Sequence, residues 1–250
     1  MKTTSVFEKY AHEYDLMTNA KQRAVYHEKE VDALIERFNP VSVLDAGCAT
    51  GLTSVLFARK SIKTVGLDRS RPMIEVAKSN YGNLGLPLSF TRASFEKLPK
   101  RLHSKFDLAV CLANSISGVN TLANLKATMR GFLSVLQSGG WLVLQMLNYK
   151  AVTENVLLPI KATRNGDIVY VRYARRQGRR YSVHLVRLDL STDPIGYEPF
   201  CTDFDNFTDD EVAKAIKGAG FIGIKRYADL YPKAPFKPSG RDLVVVAQRP

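Results

Sequence analysis

Residues 43–51 read Val-Leu-Asp-Ala-Gly-Cys-Ala-Thr-Gly, and residues 64–68 read Thr-Val-Gly-Leu-Asp. Each stretch begins as a short apolar run, typical of a buried parallel strand, and reaches an acid, Asp45 or Asp68. Gly47 and Gly51 follow the first strand, where the backbone can approach a ligand before a helix begins. In an open α/β sheet, this arrangement places a glycine turn under a nucleoside and a carboxylate beside its ribose hydroxyls.

The glycine spacing distinguishes between nucleoside cofactors. A dinucleotide fingerprint requires Gly-x-Gly-x-x-Gly, whereas Ala49 and Leu52 stand at the second and third glycine positions counted from Gly47. Asp45 lies inside the turn, where a carboxylate repels a pyrophosphate but can interact with an ammonium group. The pattern therefore favours S-adenosylmethionine, which has a cationic amino-acid tail, over a nicotinamide dinucleotide.

The turn from Asp45 to Gly51 resembles motif I of the class I S-adenosylmethionine-dependent methyltransferases, and similar segments follow along nearly the whole chain. The resemblance implies S-adenosyl-L-methionine as the cofactor and S-adenosyl-L-homocysteine as the product. It also implies a set of cofactor-binding residues, namely Tyr14, Arg23, Asp45, Ala46, Gly47, Gly51, Asp68, Arg69, Met73, Ser94, Phe95 and Leu112.

The resemblance assigns four of these residues to the adenosine. Asp68 is expected to accept hydrogen bonds from both ribose hydroxyls. Met73 and Phe95 are expected to enclose the adenine ring. Ser94 stands where many relatives have Asp or Asn for the adenine amino group, and its hydroxyl is a weaker acceptor.

Other residues of the set are assigned to the amino-acid tail of the cofactor. Ala46 and Gly47 are expected to offer backbone contacts, and Leu112 to contact the ammonium group through its backbone. Tyr14 lies in a stretch that resembles the family's N-terminal helix, which folds over the cofactor, and Arg23 follows it in the sequence. They are expected to close over the cofactor carboxylate.

On the acceptor side, residues 111–115 and the pair Asn148-Tyr149 resemble segments of glycine N-methyltransferase and its small-molecule relatives. Asn114, Asn148 and Tyr149 are therefore the candidate acceptor-binding residues. Two departures argue against glycine itself as the substrate. Leu147 replaces the family arginine that grips the substrate carboxylate, and Gly118 replaces a family histidine.

The net charge of +12 at pH 7 suggests a polyanion or an anionic substrate. Eight lysines and arginines lie between Lys161 and Arg187, against one acid, Asp167. Two interpretations are open: the run is a solvated hairpin, or it grips an anion. Under the second, Arg172 and Arg175 are the candidate substrate-binding residues.

Alternating strand and helix patterns over the first 150 residues predict an α/β fold: a doubly wound, Rossmann-like, seven-stranded and mostly parallel sheet. The chain is expected to form a single methyltransferase domain over residues 1–250. The pattern then changes to alternating, β-branched segments at Ile168–Arg176 and Tyr181–Leu190, with a third strand near 202–207. These predict an antiparallel β insertion after strand five, over residues 156–207, which would form a substrate lid.

Composition limits the remaining possibilities. The three cysteines lack metal-ligand spacing, which predicts no metal and, with the absence of an apolar signal segment, a cytoplasmic location. No stretch approaches the ~20 apolar residues of a membrane span. Methyl transfer from a sulfonium is an in-line displacement that needs alignment and exclusion of water, so no catalytic residue is identified. The oligomeric state is left open.

Three functions remain in competition. The first is methylation of a nitrogen or oxygen atom in a small, possibly anionic molecule, motivated by the motif set. The second is methylation of RNA or another nucleic acid, motivated by the basic insertion but not favoured, because the chain has no base-flipping motif after strand four. The third is a non-catalytic S-adenosylmethionine-binding protein.

Overall fold

A computed structural model describes residues 6–230 and 235–250 of the chain. These residues form two sheets and the helices that pack on them. The strands are β1 (Ser42–Ala46), β2 (Lys63–Asp68), β3 (Leu88–Arg92), β4 (Phe106–Cys111), β5 (Leu136–Leu147), β6 (Leu158–Asn165), β7 (Ile168–Gln177), β8 (Arg180–Asp189), β9 (Gly196–Asp205), β10 (Ile222–Tyr227) and β11 (Asp242–Gln248). The helices are α1 (Val6–Lys9), α2 (Tyr14–Thr18), α3 (Ala20–Phe38), α4 (Leu52–Arg59), α5 (Arg71–Tyr81), α6 (Leu122–Val135) and α7 (Asp209–Ala219).

The main sheet has seven strands in the order β10-β11-β5-β4-β1-β2-β3. Strands β5, β4, β1, β2 and β3 are parallel, whereas β11 is antiparallel to both β5 and β10. Every residue of β1 is buried, as expected for a central strand with helices on both faces. The predicted doubly wound, mostly parallel sheet is confirmed.

Local sequence signals set the helix starts. The Ser70 hydroxyl accepts a hydrogen bond from the Met73 N–H, and Pro72 occupies the first turn of α5, where its missing N–H costs nothing. A capping box begins α7, with Thr208 and Glu211 each accepting from the other's backbone N–H. These caps fix where each helix leaves the edge of the sheet.

The insertion after β5 is a four-stranded antiparallel sheet in the order β6-β7-β8-β9, one strand more than the sequence predicted. The extra strand, β6, contains Pro159, which is tolerated because β6 is an edge strand with a register shift between Pro159 and Lys161. We call this four-stranded sheet the insert sheet.

The N-terminal residues do not form one continuous helix. A 3-10 turn at Ala11–Glu13 separates α1 from α2, and Asn19 in a left-handed conformation separates α2 from α3. This bent segment packs against the insert sheet through a cluster that includes Tyr10, Met17, Tyr170 and Leu185. The N-terminal segment and the insert sheet together form a roof above the carboxyl ends of the parallel strands.

Candidate active site

A cavity of about 810 Å³ lies between the carboxyl ends of the parallel strands and this roof. Its floor comes from the loops that follow β1, β2 and β4, and its roof from α3 and the insert sheet. Nine of the twelve predicted cofactor residues line it: Tyr14, Arg23, Asp45, Gly47, Asp68, Arg69, Met73, Phe95 and Leu112. Ala46, Gly51 and Ser94 are not in its wall.

The glycine turn, residues 47–51, lies beneath the cavity, and close contacts and a hydrogen bond fix its conformation. Gly47 has φ +86°, and a Cβ atom there would lie 2.6 Å from Cβ and Oγ of Ser115, so this position accepts only glycine. The Gly47 N–H donates to the Leu67 carbonyl at 2.7 Å. The backbone N–H that was expected to reach the cofactor is therefore already used, and the carbonyl of Gly47 is the group left for a ligand.

Asp45 lies at the bottom of the turn with only 3% of its surface exposed. The Ser54 hydroxyl donates to its Oδ2 at 2.6 Å. Burial raises the pKa of Asp45 to about 6, because the low-dielectric surroundings disfavour the charged form. Asp45 thus carries a carboxylate that a cationic ligand would stabilise.

Asp68 is held by two backbone groups. Its Oδ1 accepts from the Ser70 N–H at 2.9 Å, and its Oδ2 accepts from the Ala49 N–H at 3.1 Å. Each carboxylate oxygen can accept a second hydrogen bond. Burial raises the pKa of Asp68, and these two N–H groups oppose that rise. The carboxylate is oriented in advance, with acceptor capacity left for the cavity.

The adenine end differs from the prediction at one residue. Met73 and Phe95 both line the cavity, and the Phe95 ring packs on Phe132 with centroids 5.6 Å apart. Ser94 instead lines a neighbouring surface groove, because it begins a turn in which the Lys97 N–H donates to the Ser94 carbonyl at 3.2 Å. Glu96, which sequence reasoning missed, lines the cavity.

Hydrogen bonds hold the N-terminal segment over the glycine turn. The Asp15 carboxylate accepts a hydrogen bond from the Thr50 hydroxyl at 2.6 Å. The Arg23 guanidinium donates to the Thr18 hydroxyl at 2.7 Å and lies 5.4 Å from the centre of the Tyr14 ring. Arg23 therefore presents a fixed positive charge to the cavity, close to the glycine turn.

His27 is a further cavity residue that the sequence analysis did not select. Its Nδ1 lies 3.2 Å from the Thr53 hydroxyl and 3.3 Å from the Glu30 carboxylate. Burial, together with Arg23, lowers the pKa of His27 to about 4, and burial raises that of Glu30 to about 7. Because Nδ1 is engaged, Nε2 is the ring nitrogen available to a ligand. The only sequence signal for His27 was its position four residues after Arg23, which places the two side chains on one face of a helix.

Asn114 lines the cavity, and Tyr149 lies behind it. The Asn114 amide donates to the Tyr149 hydroxyl at 2.8 Å, and its Oδ1 accepts from the Leu147 N–H at 3.0 Å. Ser117 Oγ is 2.8 Å from both Asn114 Oδ1 and the Tyr149 hydroxyl. Tyr149 is buried and is absent from the cavity wall. It positions Asn114 and does not face the acceptor.

Asn148, the third candidate on this side, has a different role. Its side-chain amide donates to the Pro238 and Gly240 carbonyls, both at 2.8 Å. It is buried and does not line the cavity. Asn148 therefore ties the end of β5 to the segment before β11, so its selection as an acceptor-binding residue does not fit the geometry.

Arg172 and Arg175 lie on opposite faces of the insert sheet. An odd separation on a strand places two side chains on opposite sides. Arg172 faces inward with Tyr170 and lines the cavity, whereas Arg175 faces outward and does not. The predicted joint action of the two arginines is therefore incompatible with the sheet.

The other basic residues of the insertion are largely neutralised within the protein. Arg187 pairs with Glu13, Arg179 with Glu211, Arg180 with Asp203 and Arg176 with Glu154. In contrast, Nε of Arg172 is buried and makes no hydrogen bond within the described residues. Burial lowers the pKa of Arg172. The insertion therefore presents one buried cation to the cavity rather than a continuous basic surface.

The lining residues fit S-adenosylmethionine. Asp68 offers acceptors for a diol, and Met73 and Phe95 form an apolar wall for a flat ring. At the other end, the Asp45 carboxylate suits an ammonium group and Arg23 suits a carboxylate. Within residues 6–230 and 235–250, no cluster of three or more His, Cys, Asp or Glu side chains could hold a metal ion. No helix in these ranges is long and apolar enough to cross a membrane.

Comparisons with known proteins agree with this geometry. A family model described as a methyltransferase domain matches residues 39–170, more than half of the chain. Among curated proteins, a glycine/sarcosine/dimethylglycine N-methyltransferase of Actinopolyspora halophila is 29% identical over 114 residues, covering 45% of this chain and 20% of that protein. A glycine/sarcosine N-methyltransferase of Parasynechococcus marenigrum (strain WH8102) is 27% identical over 121 residues, covering 48% and 43%. The matches thus span less than half the length of these relatives.

A solved structure extends the comparison of the fold. CalS10 of Micromonospora echinaspora, an amino pentose methyltransferase with bound S-adenosylmethionine, superposes with a TM-score of 0.72. The superposition covers 93% of this chain and 96% of that one at 21% identity. At this identity, the likeness concerns the fold alone.

Proposed function

Since this chain belongs to the class I S-adenosylmethionine-dependent methyltransferases, we propose that it methylates a nitrogen or oxygen atom of a small molecule that carries an anionic group. The observation that supports an anionic group on the acceptor concerns Arg172, which lines the cavity. Its buried Nε makes no hydrogen bond within the described chain. A guanidinium whose buried Nε lacks a hydrogen-bond partner carries an uncompensated desolvation cost. An acceptor carboxylate or phosphate would remove that cost by a bidentate contact.

The cavity is divided between two ligands in this proposal. The cofactor occupies the side formed by Asp45, Asp68, Met73 and Phe95. The acceptor occupies the side formed by Asn114 and by the inward face of the insert sheet, which contributes Arg172, Val183 and Phe204. The insertion, residues 156–207, acts as the substrate lid.

Bound S-adenosylmethionine supplies a methyl group on a positively charged sulfur. The protein has to align the acceptor and exclude water. Asn114 is suited to alignment because Tyr149, Ser117 and the Leu147 N–H fix its amide, which still has a second N–H. Val183 and Phe204 of the roof exclude water above it.

Arg23 and His27 belong to the cofactor side of the proposal. Arg23 supplies a fixed charge for the α-carboxylate. We assign Nδ1 of His27 as the acceptor of the Thr53 hydroxyl, so that the neutral ring, favoured by its lowered pKa, carries its hydrogen on Nε2. His27 therefore donates a second hydrogen bond to the same carboxylate.

The nucleic-acid alternative loses its motivation, because Glu13, Glu154, Asp203 and Glu211 neutralise arginines of the insertion. A small acceptor also suits a cavity that lies under a roof. Methylation of nucleic acid is therefore not retained as a second candidate function.

The test has two stages. Calorimetric titration with S-adenosylhomocysteine should give saturable binding, and no binding at millimolar ligand would reject the cofactor assignment. Transfer of labelled methyl groups is then measured on paired amine and hydroxyl acceptors that differ only in a carboxylate or its neutral amide. We expect a higher kcat/KM for the carboxylate member of each accepted pair. Equal values would reject the anionic acceptor but leave the methyltransferase assignment intact.

A further inference from the structure

Residues 92–130 carry positive charge that the protein does not neutralise. This segment contains seven lysines and arginines but two acids, Glu96 and Asp107. None of the seven cations forms an ion pair within the described residues, whereas four arginines of the insertion do. Asp107 is occupied at the start of β1, where it accepts hydrogen bonds from the Val41 and Ser42 N–H groups. Part of the large net charge of the chain is therefore left free here.

Four of these cations line one surface groove, which runs between the turn after β3 and helix α6. We call it the α6 groove, and it is lined by residues 92–94, 96–100, 103, 127, 130, 131 and 134. The four cations are Arg92 from β3, Lys97 and Lys100 from the turn, and Arg130 from α6. One acid, Glu96, lines the groove with them. Separate elements of the fold thus bring like charges together around a concave site.

Packing between the turn and α6 fixes the shape of the groove. A Cβ atom on Gly131 would lie 2.7 Å from the Phe95 carbonyl oxygen, so α6 contacts the turn directly. The Arg92 Nε donates to the Arg69 carbonyl at 3.1 Å, which holds the guanidinium and leaves its two terminal nitrogens. A site that is formed in advance loses less entropy when a ligand binds.

Polar groups of the groove also lack partners within the part of the chain that the structure describes. The Ser94 hydroxyl and the Arg130 guanidinium make no hydrogen bond there. Leu98 and Ala127 add an apolar surface to the lining. The groove therefore combines free donors for an anion with a small apolar area.

We propose that the α6 groove binds a small molecule that carries at least two adjacent phosphate groups. A guanidinium donates two parallel hydrogen bonds to phosphate oxygens, and an ammonium group adds a compact positive charge. A single monoanion would leave most of the four cations without a counter-charge, whereas a chain of phosphates can contact cations from both sides of the groove. The compact arrangement around one concave site favours a small ligand over the extended backbone of a nucleic acid.

This site is separate from the one proposed for methyl transfer. Of the charged groups in the groove, only Glu96 also lines the cavity. The proposal therefore does not rest on the identity of the methyl acceptor, and variants of the groove cations should leave the cofactor site intact.

The first experiment titrates the protein with sodium tripolyphosphate by calorimetry, in a buffer without phosphate, sulfate or divalent ions. We expect saturable binding of one ligand per chain. The double variant Lys100→Gln, Arg130→Gln should bind at least about tenfold more weakly, because charge-assisted contacts are lost. Arg59→Gln is the matched control and should stay within about twofold. Arg59 is an exposed arginine of α4, which packs in a different hydrophobic cluster from α6.

Glu96→Gln supplies an effect of the opposite sign. Loss of the acid in the groove removes a repulsion, so tripolyphosphate should bind about two- to fivefold more tightly. Added sodium chloride should weaken binding to the unmodified protein, since exposed charges are screened. ATP distinguishes two sources of the phosphate chain. Tighter binding of ATP than of tripolyphosphate would identify a nucleotide, and equal binding would identify the phosphate chain itself as the recognised group.

Three results would overturn the proposal. They are the absence of saturable binding at millimolar tripolyphosphate, equal losses in the double variant and in Arg59→Gln, and a preference for a single-stranded RNA oligomer over tripolyphosphate. S-adenosylhomocysteine titration of each variant reports on the cofactor site separately. If the double variant loses cofactor binding because it does not fold, Lys97→Gln, a change at an exposed residue of the turn, replaces it and should weaken tripolyphosphate binding.

Discussion

In our proposal, the cofactor half of the cavity is formed by the ends of parallel strands and by backbone groups of the loops that follow them. The acceptor half is formed by side chains from the β4 loop and from the insert sheet, which belong to different sheets. In the first half, Asp68 is oriented by backbone N–H groups of Ala49 and Ser70. In the second, Arg172 is oriented only by the fold of its sheet. The comparison indicates that the direction of the Asp68 carboxylate depends on the two loops beside it, whereas the direction of Arg172 depends on strand pairing in the insert sheet.

The largest expected effect comes from Asp68→Ala. Loss of two hydrogen bonds to a charged acceptor, each contributing about 1.5–3 kcal/mol, should weaken S-adenosylhomocysteine binding at least about 100-fold. Calorimetry measures the affinity. The affinity of Asp68→Asn, which keeps one acceptor oxygen, should lie between that of the unmodified protein and that of Asp68→Ala. Thermal melting verifies that the loop at Ala49 remains folded. An unchanged affinity in Asp68→Ala would mean that the cofactor half is not built as described.

Arg172→Met tests the other half. The KM of an anionic acceptor should rise about 10- to 100-fold, since a buried charge-assisted contact is lost, while S-adenosylhomocysteine affinity should stay within about twofold. Arg179→Met is the matched control, because Arg179 belongs to the same sheet but pairs with Glu211 at a hairpin tip. A parallel loss of cofactor affinity in Arg172→Met would show that the two halves are not separate.

The pH dependence of cofactor binding tests Asp45. In the free protein, Asp45 takes up a proton as pH falls below its pKa of about 6, and that proton competes with the cofactor ammonium group. Affinity for S-adenosylhomocysteine should therefore be constant above this pKa and fall about tenfold for each pH unit well below it. Asp45→Asn should bind more weakly at neutral pH and lose this dependence. An identical slope in the variant would assign the titration to another group.

The smallest expected effect concerns His27 and sharpens the boundary of the cofactor half. His27→Ala should weaken S-adenosylhomocysteine binding about fivefold, because one hydrogen bond to the ligand carboxylate is lost while Arg23 still binds that carboxylate. It should leave the affinity for 5′-methylthioadenosine unchanged, because that ligand lacks the amino-acid carboxylate. His12→Ala, an exposed histidine of the N-terminal segment, should affect neither ligand. Equal losses for both ligands would indicate a structural effect.

The sequence analysis was more accurate for the parallel sheet beneath the cofactor half than for the side chains of the acceptor half. The apolar runs that reach Asp45 and Asp68 are strands β1 and β2, as predicted, because apolar runs and glycine turns are local signals. The acceptor residues were selected from short segments without knowledge of side-chain direction. Asn148 was therefore grouped with Asn114, although its amide is used by Pro238 and Gly240. His27 was missed because its burial arises from contacts with α4.

The sequence by itself determined the parallel sheet, the kind of cofactor and the carboxylates that face it, because strand periodicity and a glycine turn act over a few neighbouring residues. The tertiary structure decided which arginine of the insertion reaches the cavity and which asparagine lines it. These properties depend on pairing register and on contacts between segments that are remote in the chain. A one-residue shift in register would exchange the faces of Arg172 and Val171, and no local pattern in the sequence fixes that register.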